Sequence, residues 1–266
     1  MQFSNLNDIR NNIFIEEVSS LNPNYRFDNY ISGNTNRRAF SAAQYVGERL
    51  GLGYNPLLIH GSSGLGKTHL MHAIGNAIFQ QRPNLKVISI TSEHFINLFV
   101  ESVKKGQGDI FRNTFYNIDV LMIDDIQFLD NKEDTEIEFL NIFDELYKKG
   151  KQIVLTSDIM PDDMERFGEL LRPRLQDGFV ATLERPDLEM RIAILKFWVE
   201  CEKQRKNIIT IDNDVLCYIA LQFDEEIRTL KGVFNRLILS ATIDERKESI
   251  DLQYTKEILD SFAYMS

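Results

Sequence analysis

The stretch GSSGLGKT, residues 61–68, decides the fold class. It fits the pattern G-x-x-x-x-G-K-[ST], a loop whose backbone N–H groups close around phosphates. The apolar run PLLIH precedes it, and the helical pattern THLMHAIG follows it. A strand, a glycine-rich loop and a helix in this order predict a phosphate-binding loop, in which Lys67 reaches the β- and γ-phosphates and Thr68 ligates Mg²⁺.

Further apolar runs predict buried parallel strands, because each is short and bounded by polar or turn residues. The predicted strands cover residues 55–61, 86–91, 119–125 and 151–158, with a fifth short strand at 179–184. The helical patterns between them cover residues 66–81, 92–106 and 133–150. This alternation predicts an α/β fold with a parallel five-stranded sheet flanked by helices, and with ligands at the carboxyl ends of the strands.

The pattern changes near Pro186. From there on, four amphipathic helical segments follow without a convincing strand, which predicts a small all-helical second domain. We therefore expect three parts: a polar leader over residues 1–25, a P-loop ATPase domain over residues 26–185 and a helical domain over residues 186–266.

The run VLMIDD, residues 120–125, predicts a strand that delivers two carboxylates to the same edge of the sheet. Alone, such a strand end is as often structural as functional. After a phosphate loop, it indicates nucleotide hydrolysis, with Asp124 holding Mg²⁺ and Asp125 orienting or deprotonating the attacking water. The next strand ends in LTSD, residues 155–158, where a side chain either senses the γ-phosphate or is an ordinary polar strand end. The residues open to this role are Thr156, Ser157 and Asp158.

The chain is acidic, with 30 basic and 40 acidic residues and a formal net charge of −10. A general electrostatic grip on duplex DNA needs clustered lysine and arginine, so the composition argues against that kind of binding. No stretch approaches the ~18 uninterrupted apolar residues of a membrane span. Cys201 and Cys217 imply no disulfide framework, and the first residues lack a signal-peptide pattern. We therefore expect a soluble, cytoplasmic protein without a transmembrane segment.

Four stretches together resemble one known family. They are YNPLLIHGSSGLGKTHLMHAIGN (54–76), FRNTFYNIDVLMIDDIQFL (111–129), GKQIVLTSD (150–158) and RPDLEMRIAIL (185–195). They resemble the AAA+ domain of the DnaA family, the bacterial chromosomal replication initiators. The resemblance implies an AAA+ P-loop NTPase with a helical lid, which binds ATP or ADP with Mg²⁺ and hydrolyses ATP slowly.

The resemblance also implies which residues contact the nucleotide. Residues 26–43 resemble the family's strap over the base and ribose. In the stretch EEIRTLKGVFNRLI, Arg228 matches the lid arginine called sensor 2, which touches the phosphates; its plain alternative is a solvated helical arginine. The expected nucleotide-binding residues are Tyr30, Ile31, Asn36, Gly61, Gly64, Leu65, Gly66, Lys67, Thr68, His69, Asp158 and Arg228.

Residues 92–113 resemble the family's extra helical pair, which lines a surface for single-stranded DNA. The basic residues there are Lys104, Lys105 and Arg112, and nearby acids offset them. A groove for single strands uses basic residues and stacking aromatics. We expect most of the aromatic candidates to belong to the core instead; these are Phe95, Phe99 and Phe111.

The segment ERFGELLRPRLQDG, residues 165–178, carries Arg166, Arg172 and Arg174. Pro173 and the Asp-Gly pair that follows predict that the helix breaks where these charges lie. The arginines either solvate a helix end or reach for a phosphate.

The same segment resembles box VII of the family, and Arg174 matches its arginine finger, which reaches the ATP of the next subunit. The resemblance implies head-to-tail self-assembly and a catalytic set of Lys67, Asp125 and Arg174. Three positions depart from the family's usual basic residues: Leu170, Ile159 and Tyr116. These departures weaken contacts between subunits or with DNA more than they affect the ATP site.

The leading hypothesis is thus an initiator module that assembles with ATP on replication origin DNA and opens the duplex, with a replicative helicase or initiator regulators as further partners. The family normally continues into a helix-turn-helix beyond the lid, so the chain is expected to be either a fragment or a naturally short relative. In the latter case it is a DnaA-related (Hda-like) regulator or a helicase-loader-type ATPase that works without duplex DNA. A P-loop small-molecule kinase is a third alternative, for which the lid arginine and box VII are unnecessary.

Overall fold

A computed structural model of the chain describes residue 19 and residues 21–51, 53–164, 166–204, 210–224, 226–244 and 249–263. Most of the predicted leader, residues 1–18 and residue 20, lies outside the described residues. The chain forms two compact units. The first unit contains Arg38–Ser62, Gly66–Leu183 and the described residues up to Tyr30, and the second contains Ile31–Arg37, Ser63–Leu65 and the described residues from Glu184 onwards.

The first unit contains the predicted parallel sheet. Its five strands are β1 (Leu57–His60), β2 (Val87–Thr91), β3 (Val120–Asp124), β4 (Gln152–Ser157) and β5 (Phe179–Thr182). They lie in the order β2-β3-β4-β1-β5, and every neighbouring pair is parallel. Strands β3 and β4 are buried along their whole length, as expected for a parallel sheet covered on both faces. The prediction of a five-stranded parallel sheet is confirmed.

Helices follow or precede each of these strands. They are α1 (Arg37–Glu48), α2 (Lys67–Gln81), α3 (Ser92–Lys104), α4 (Gly108–Tyr116), α5 (Glu133–Lys148) and α6 (Arg166–Leu175), with short 3₁₀ helices at Phe27–Asn29 and Ile126–Leu129. Phenylalanine rings fill the core between α3, α4, α5 and the sheet. Phe95, Phe99 and Phe111 are all buried there, which confirms that they are core residues.

The strand order brings three polar strand ends to one edge of the sheet. Strand β4 lies between β1, which enters the phosphate loop, and β3, which ends in Asp124. In register, Ile59 of β1 faces Thr156 of β4, and Ile123 of β3 faces Leu155 of β4. The residues that follow these positions therefore converge where a doubly wound sheet binds its ligands.

Helix α6 contradicts one prediction. It runs without interruption from Arg166 to Leu175, with Pro173 inside it, whereas the sequence predicts a break among the arginines. Pro173 lies in the last turn, so its missing N–H affects only the end of the helix. Phe167 and Leu171 are fully buried and Leu175 nearly so, and this packing holds the helix in place until the Asp-Gly turn ends it.

The second unit is mainly helical. Its helices are α7 (Leu188–Gln204), α8 (Asn213–Gln222), α9 (Ile227–Ile243) and α10 (Leu252–Ala263), packed around Leu195, Val215, Phe234 and Leu237. It departs from the predicted all-helical domain in one detail, because β6 (Thr210–Ile211) pairs in parallel with β7 (Ser249–Ile250). Strands of two residues are too short to leave a periodic pattern. Over the described ranges, no helix is both long and apolar enough to cross a membrane.

Candidate nucleotide site

The phosphate loop connects β1 to α2 and adopts a conformation that requires glycine. Gly66 has φ = +95° and directly precedes α2, in the left-handed region that favours glycine. A side chain at Gly66 would also meet the Tyr30 ring at 3.3 Å, and one at Gly61 would lie 2.6 Å from the Leu183 carbonyl oxygen. The loop thus packs its backbone tightly at a helix N-terminus, where partial positive charge favours an anion.

Lys67 lies inside this loop and is only 6% exposed. Its Nζ donates hydrogen bonds to the carbonyl oxygens of Gly61 at 2.8 Å and Ser62 at 3.2 Å. A buried ammonium group is costly unless polar groups replace its water. The two carbonyl groups do so without neutralising the charge, so the cation remains available to an anion held by the loop.

Asp124 joins two hydroxyl groups at the sheet edge. The Thr68 hydroxyl donates to Asp124 Oδ2 at 2.7 Å, and the Thr156 hydroxyl donates to Asp124 Oδ1. Thr156 also accepts a hydrogen bond from the backbone N–H of Asp125 at 2.9 Å. Among the three residues that the sequence leaves open at the end of β4, Thr156 is therefore the one that contacts the carboxylate from β3.

These oxygens fit Mg²⁺, which binds hard oxygen ligands and normally keeps water and substrate phosphates in its shell. The Thr68 hydroxyl and the Asp124 carboxylate are adjacent oxygen donors. In the part of the chain that the structure describes, no three His, Cys, Asp or Glu side chains could hold a metal ion together. The donor set therefore suits a magnesium ion that takes further ligands from a bound phosphate.

Asp125 differs from Asp124 in both backbone and surroundings. Its φ of 58° and ψ of 56° place it in the left-handed region, at the junction of β3 with the short helix Ile126–Leu129. Burial, followed by the neighbouring charge of Asp124, raises the pKa of the Asp125 carboxyl group above its ordinary value. The Gln127 amide donates to Asp125 Oδ1 at 3.4 Å. A carboxylate with a raised pKa is better suited to accept a proton from water.

The predicted strap residue Tyr30 belongs to an aromatic cluster that includes Phe40 of α1 and His69 of α2. Its ring stacks on Phe40 at 5.7 Å and meets the edge of His69 at 5.1 Å. His69 in turn stacks on Tyr25 at 4.7 Å, and its Nε2 lies 2.9 Å from Asn29 Oδ1. Burial lowers the pKa of His69, so the ring favours its neutral form. The structure thus brings two of the predicted nucleotide contacts, Tyr30 and His69, together.

Other predicted contacts belong to the second unit. Asn36 donates to the Ile31 carbonyl oxygen at 3.0 Å and accepts from the Gly33 N–H at 2.8 Å, so its side chain closes a turn of its own segment. At the tip of the phosphate loop, Arg228 Nη1 lies 3.4 Å from the Ser63 hydroxyl. Nucleotide contacts by Ile31, Asn36 and Arg228 stay predictions.

Asp158 follows β4 and stands near a histidine that sequence reasoning missed. The charge of Asp158 raises the pKa of both Asp125 and His60. The net pKa of His60 is nevertheless lowered, because burial and the charge of Lys67 outweigh the effect of Asp158. Among the described residues, its buried Nδ1 has no hydrogen-bond partner. In the sequence, the only signal for His60 is its place as a polar residue in an otherwise apolar strand, directly before the phosphate loop.

Arg174 lies in the last turn of α6, and all three of its guanidinium nitrogens donate within the first unit. Nε and Nη2 reach the two carboxylate oxygens of Asp144 on α5 at 2.7 Å each. Nη1 reaches the Leu170 carbonyl oxygen, also at 2.7 Å. The sequence offers no sign of this pairing, because Asp144 and Arg174 are 30 residues apart.

The other two arginines of the segment form more exposed ion pairs. Arg166 pairs with Glu133 at 2.5 Å, and Arg172 pairs with Asp162 at 3.1 Å. Pairs of this kind contribute little to stability. Arg166 Nε also lies 3.9 Å from the buried carboxylate of Glu136, so of the two only Arg172 fits the plain interpretation of a solvated charge on a helix.

The basic residues predicted for single-stranded DNA are partly engaged by acids. Arg112 donates through Nε and Nη2 to the buried carboxylate of Glu138, at 2.9–3.1 Å. Lys105 pairs with Glu101 at 2.5 Å. Lys104 lies in the last turn of α3. The structure thus uses Arg112 to neutralise a buried acid, and DNA contact by these residues stays a prediction.

Comparisons with known proteins point to one family. The family model described as "Bacterial DnaA ATPAse domain" matches residues 21–182. The chromosomal replication initiator protein DnaA of Caldanaerobacter subterraneus subsp. tengcongensis is 43% identical over 242 residues. That match covers 91% of this chain and 53% of the relative, so the chain spans about half the length of the curated relative.

Solved structures agree with this match. Domain III of the Thermotoga maritima replication initiation protein DnaA superposes with a TM-score of 0.82 at 38% identity, covering 92% of this chain and 99% of that one. A replication initiator DnaA bound to AMPPCP and single-stranded DNA superposes with a TM-score of 0.73 at 35% identity, covering 86% of this chain and 70% of that one.

Proposed function

The chain belongs to the bacterial DnaA ATPase domain family, and from this premise we propose that it is the ATP-operated assembly module of a replication initiator. It binds ATP at the loop between β1 and α2, hydrolyses it slowly and assembles head to tail while ATP is bound. The observation that carries the proposal is the linked set Thr68, Asp124 and Thr156 beside the buried Lys67.

Each residue of this set, together with the adjacent Asp125, has a separate role in ATP binding or hydrolysis. Lys67 exchanges its loop carbonyl partners for the β- and γ-phosphates, because charged phosphate oxygens are stronger acceptors. Thr68 and Asp124 hold Mg²⁺, which when bound neutralises charge on the phosphates. Thr156 fixes the Asp124 carboxylate and the Asp125 backbone. Asp125 takes a proton from the attacking water, a role for which a raised pKa is favourable.

In this proposal, residues 26–185 are the ATPase domain and residues 186–266 are the lid. Tyr30, Ile31 and Asn36 lie along the base and ribose, with the Asn36 side chain shaping the turn that presents them. Arg228 on α9 senses the phosphates and couples the bound nucleotide to the position of the lid. Its contact with Ser63 at the loop tip supports this role.

Assembly uses the arginine of α6. Arg174 of one subunit reaches the γ-phosphate of the next, through a head-to-tail interface that can continue as a filament. The resulting oligomer acts on replication origin DNA in the cytoplasm, and the surface of α3 and α4 contributes Lys104 and Lys105 to single-stranded DNA. A replicative helicase and initiator regulators are further partners of the whole initiator.

The alternative functions are not favoured. The curated initiator shares 43% identity over 91% of this chain, whereas a helicase loader, DnaC, shares only 18% identity and thus the fold alone. The likeness to domain III of an initiator runs over 99% of that domain. A small-molecule kinase would not need the lid arginine or the arginine of α6.

Nucleotide binding is tested with Lys67→Ala, measured by calorimetric titration with ATP and Mg²⁺. Because Lys67 supplies the loop's buried cation, we expect the variant to lose measurable binding. Lys148→Ala, which removes an exposed lysine at the end of α5, should bind like the wild type. Tight ATP binding by Lys67→Ala would exclude this loop as the phosphate site.

A further inference from the structure

The arginine that is proposed to act across the subunit interface is already bound inside its own subunit. Asp144 occupies the Nε–Nη2 edge of Arg174, the edge that presents two parallel N–H groups to an anion. The Leu170 carbonyl oxygen holds Nη1. A phosphate on a neighbouring subunit can take this edge only if Arg174 gives up Asp144.

This pair is more shielded than the shortest ion pair of each other arginine on α6, and the longer approach of Arg166 to the buried Glu136, at 3.9 Å, has a single contact in place of two. The side chains of Arg174 and Asp144 are 26% and 39% exposed. For the pairs of Arg166 with Glu133 and of Arg172 with Asp162, the exposures are 47% and 73%, and 46% and 71%. Solvent screens a shielded, bidentate pair less, so it holds its arginine more strongly.

The two helices that carry the pair are firmly packed. Phe139 of α5 and Phe167 of α6 contact each other at a ring distance of 5.8 Å. Phe139, Phe143, Phe167 and Leu171 are all buried in the same core. The helix positions that carry Asp144 and Arg174 are therefore held by the core, and movement of the Arg174 side chain is the simplest way for the pair to open.

We infer that Asp144 competes with the neighbouring subunit's γ-phosphate for Arg174 and thereby sets the concentration at which ATP-bound subunits assemble. This inference rests on the proposed trans role of Arg174. The Asp144 carboxylate carries one negative charge, whereas a γ-phosphate carries more. The γ-phosphate of ATP in a neighbouring subunit can therefore displace Asp144 from Arg174. With ADP in the neighbour, the competing phosphate is missing, and Arg174 remains on Asp144.

The test is Asp144→Asn, which keeps an oxygen acceptor of the same shape and removes the charge. Assembly is followed by light scattering across a protein dilution series, with ATP and with ADP. We expect the midpoint concentration for ATP-dependent assembly to fall by about 3- to 10-fold, the scale on which charged and neutral hydrogen bonds differ. With ADP the variant should stay monomeric. Asp144→Ala should shift the midpoint in the same direction.

Two controls assign the effect to Arg174. Glu145→Gln removes an equal charge from the adjacent position, whose partner Lys149 directly follows the same helix, and should leave the midpoint unchanged. In an Arg174→Ala background, Asp144→Asn should have no further effect.

An unchanged or raised midpoint in Asp144→Asn, with Arg174→Ala abolishing assembly, would overturn the competition while leaving the proposed function intact. A raised midpoint would make Asp144 a group that positions the arginine. If Arg174→Ala itself assembles normally with ATP, the trans role fails, and the competition fails with it.

Discussion

At the scale of single residues, the consecutive carboxylates of Asp124, at the end of β3, and Asp125, directly after it, have different surroundings. Asp124 is enclosed by the hydroxyl groups of Thr68 and Thr156. The Asp125 backbone is in the left-handed conformation, and burial raises the pKa of its carboxyl group. Neighbouring acids whose environments differ in this way are a common basis for separate metal-binding and proton-accepting roles.

Asp125→Asn tests this division of labour. Asparagine tolerates the left-handed backbone of this position, so the change removes the charge with little strain. We expect single-turnover ATP hydrolysis to fall by about 10²-fold or more, while the ATP dissociation constant changes by no more than a few-fold. Loss of ATP binding in this variant would contradict a role confined to hydrolysis.

The same assignment predicts the direction of the pH dependence. Asp125 must be ionised to accept a proton, so the wild-type hydrolysis rate should decrease as the pH falls through its raised pKa. The inflection should therefore lie above 3.8, the ordinary value for aspartate. Asp125→Asn should lack this inflection in its residual rate.

Some of these residues can be read from the sequence and others cannot. Lys67 and Thr68 follow from a motif whose spacing reflects the shape of the phosphate loop, and Asp124 follows from an apolar run that ends in two acids. Thr156 cannot be separated from its neighbours by sequence, because the choice depends on the register of β4 beside β3. Asp144 leaves no local signal either, since its role is defined by a partner on another helix.

At the scale of elements, α6 shows how packing outweighs a local signal. Pro173 predicts a break, yet the helix continues to Leu175 because its apolar face is buried against the core. The strands of the sheet end within two residues of their predicted bounds, since apolar runs between polar residues define them well. The pairing of β6 with β7 was missed because two residues carry no periodicity.

Gly168 should be the most sensitive position of α6. A Cβ there would lie 2.1 Å from the Pro161 carbonyl oxygen and 2.8 Å from Met164 Cβ. We expect Gly168→Ala to lower the free energy of unfolding by about 1–3 kcal/mol through overpacking, measured by urea titration. Gly108→Ala, at the start of α4 with no atom within 4 Å of the new Cβ, should leave it unchanged or raise it by up to about 1 kcal/mol. Equal effects of the two changes would show that the close contacts at Gly168 do not matter.

At the scale of the whole molecule, charge and assembly fit together. A net charge of −10 does not favour non-specific electrostatic binding to duplex DNA. A single copy of the chain is therefore expected to bind duplex DNA weakly in this way. A head-to-tail assembly lines up many copies of a weak local contact, and the combined binding is stronger than any single one. On the proposed function, ATP would control DNA engagement indirectly, through the number of subunits held together.

On the proposed function, ATP bound to one subunit and contacted by Arg174 of the next drives this assembly. The most direct test is the molar mass from size-exclusion chromatography with light scattering, for wild type and Arg174→Ala, with ATP or ADP. We predict oligomers for the wild type with ATP and monomers with ADP. Arg174→Ala should stay monomeric with ATP although it still binds the nucleotide. Oligomers of Arg174→Ala with ATP, or a wild-type mass that ignores the nucleotide, would contradict the claim.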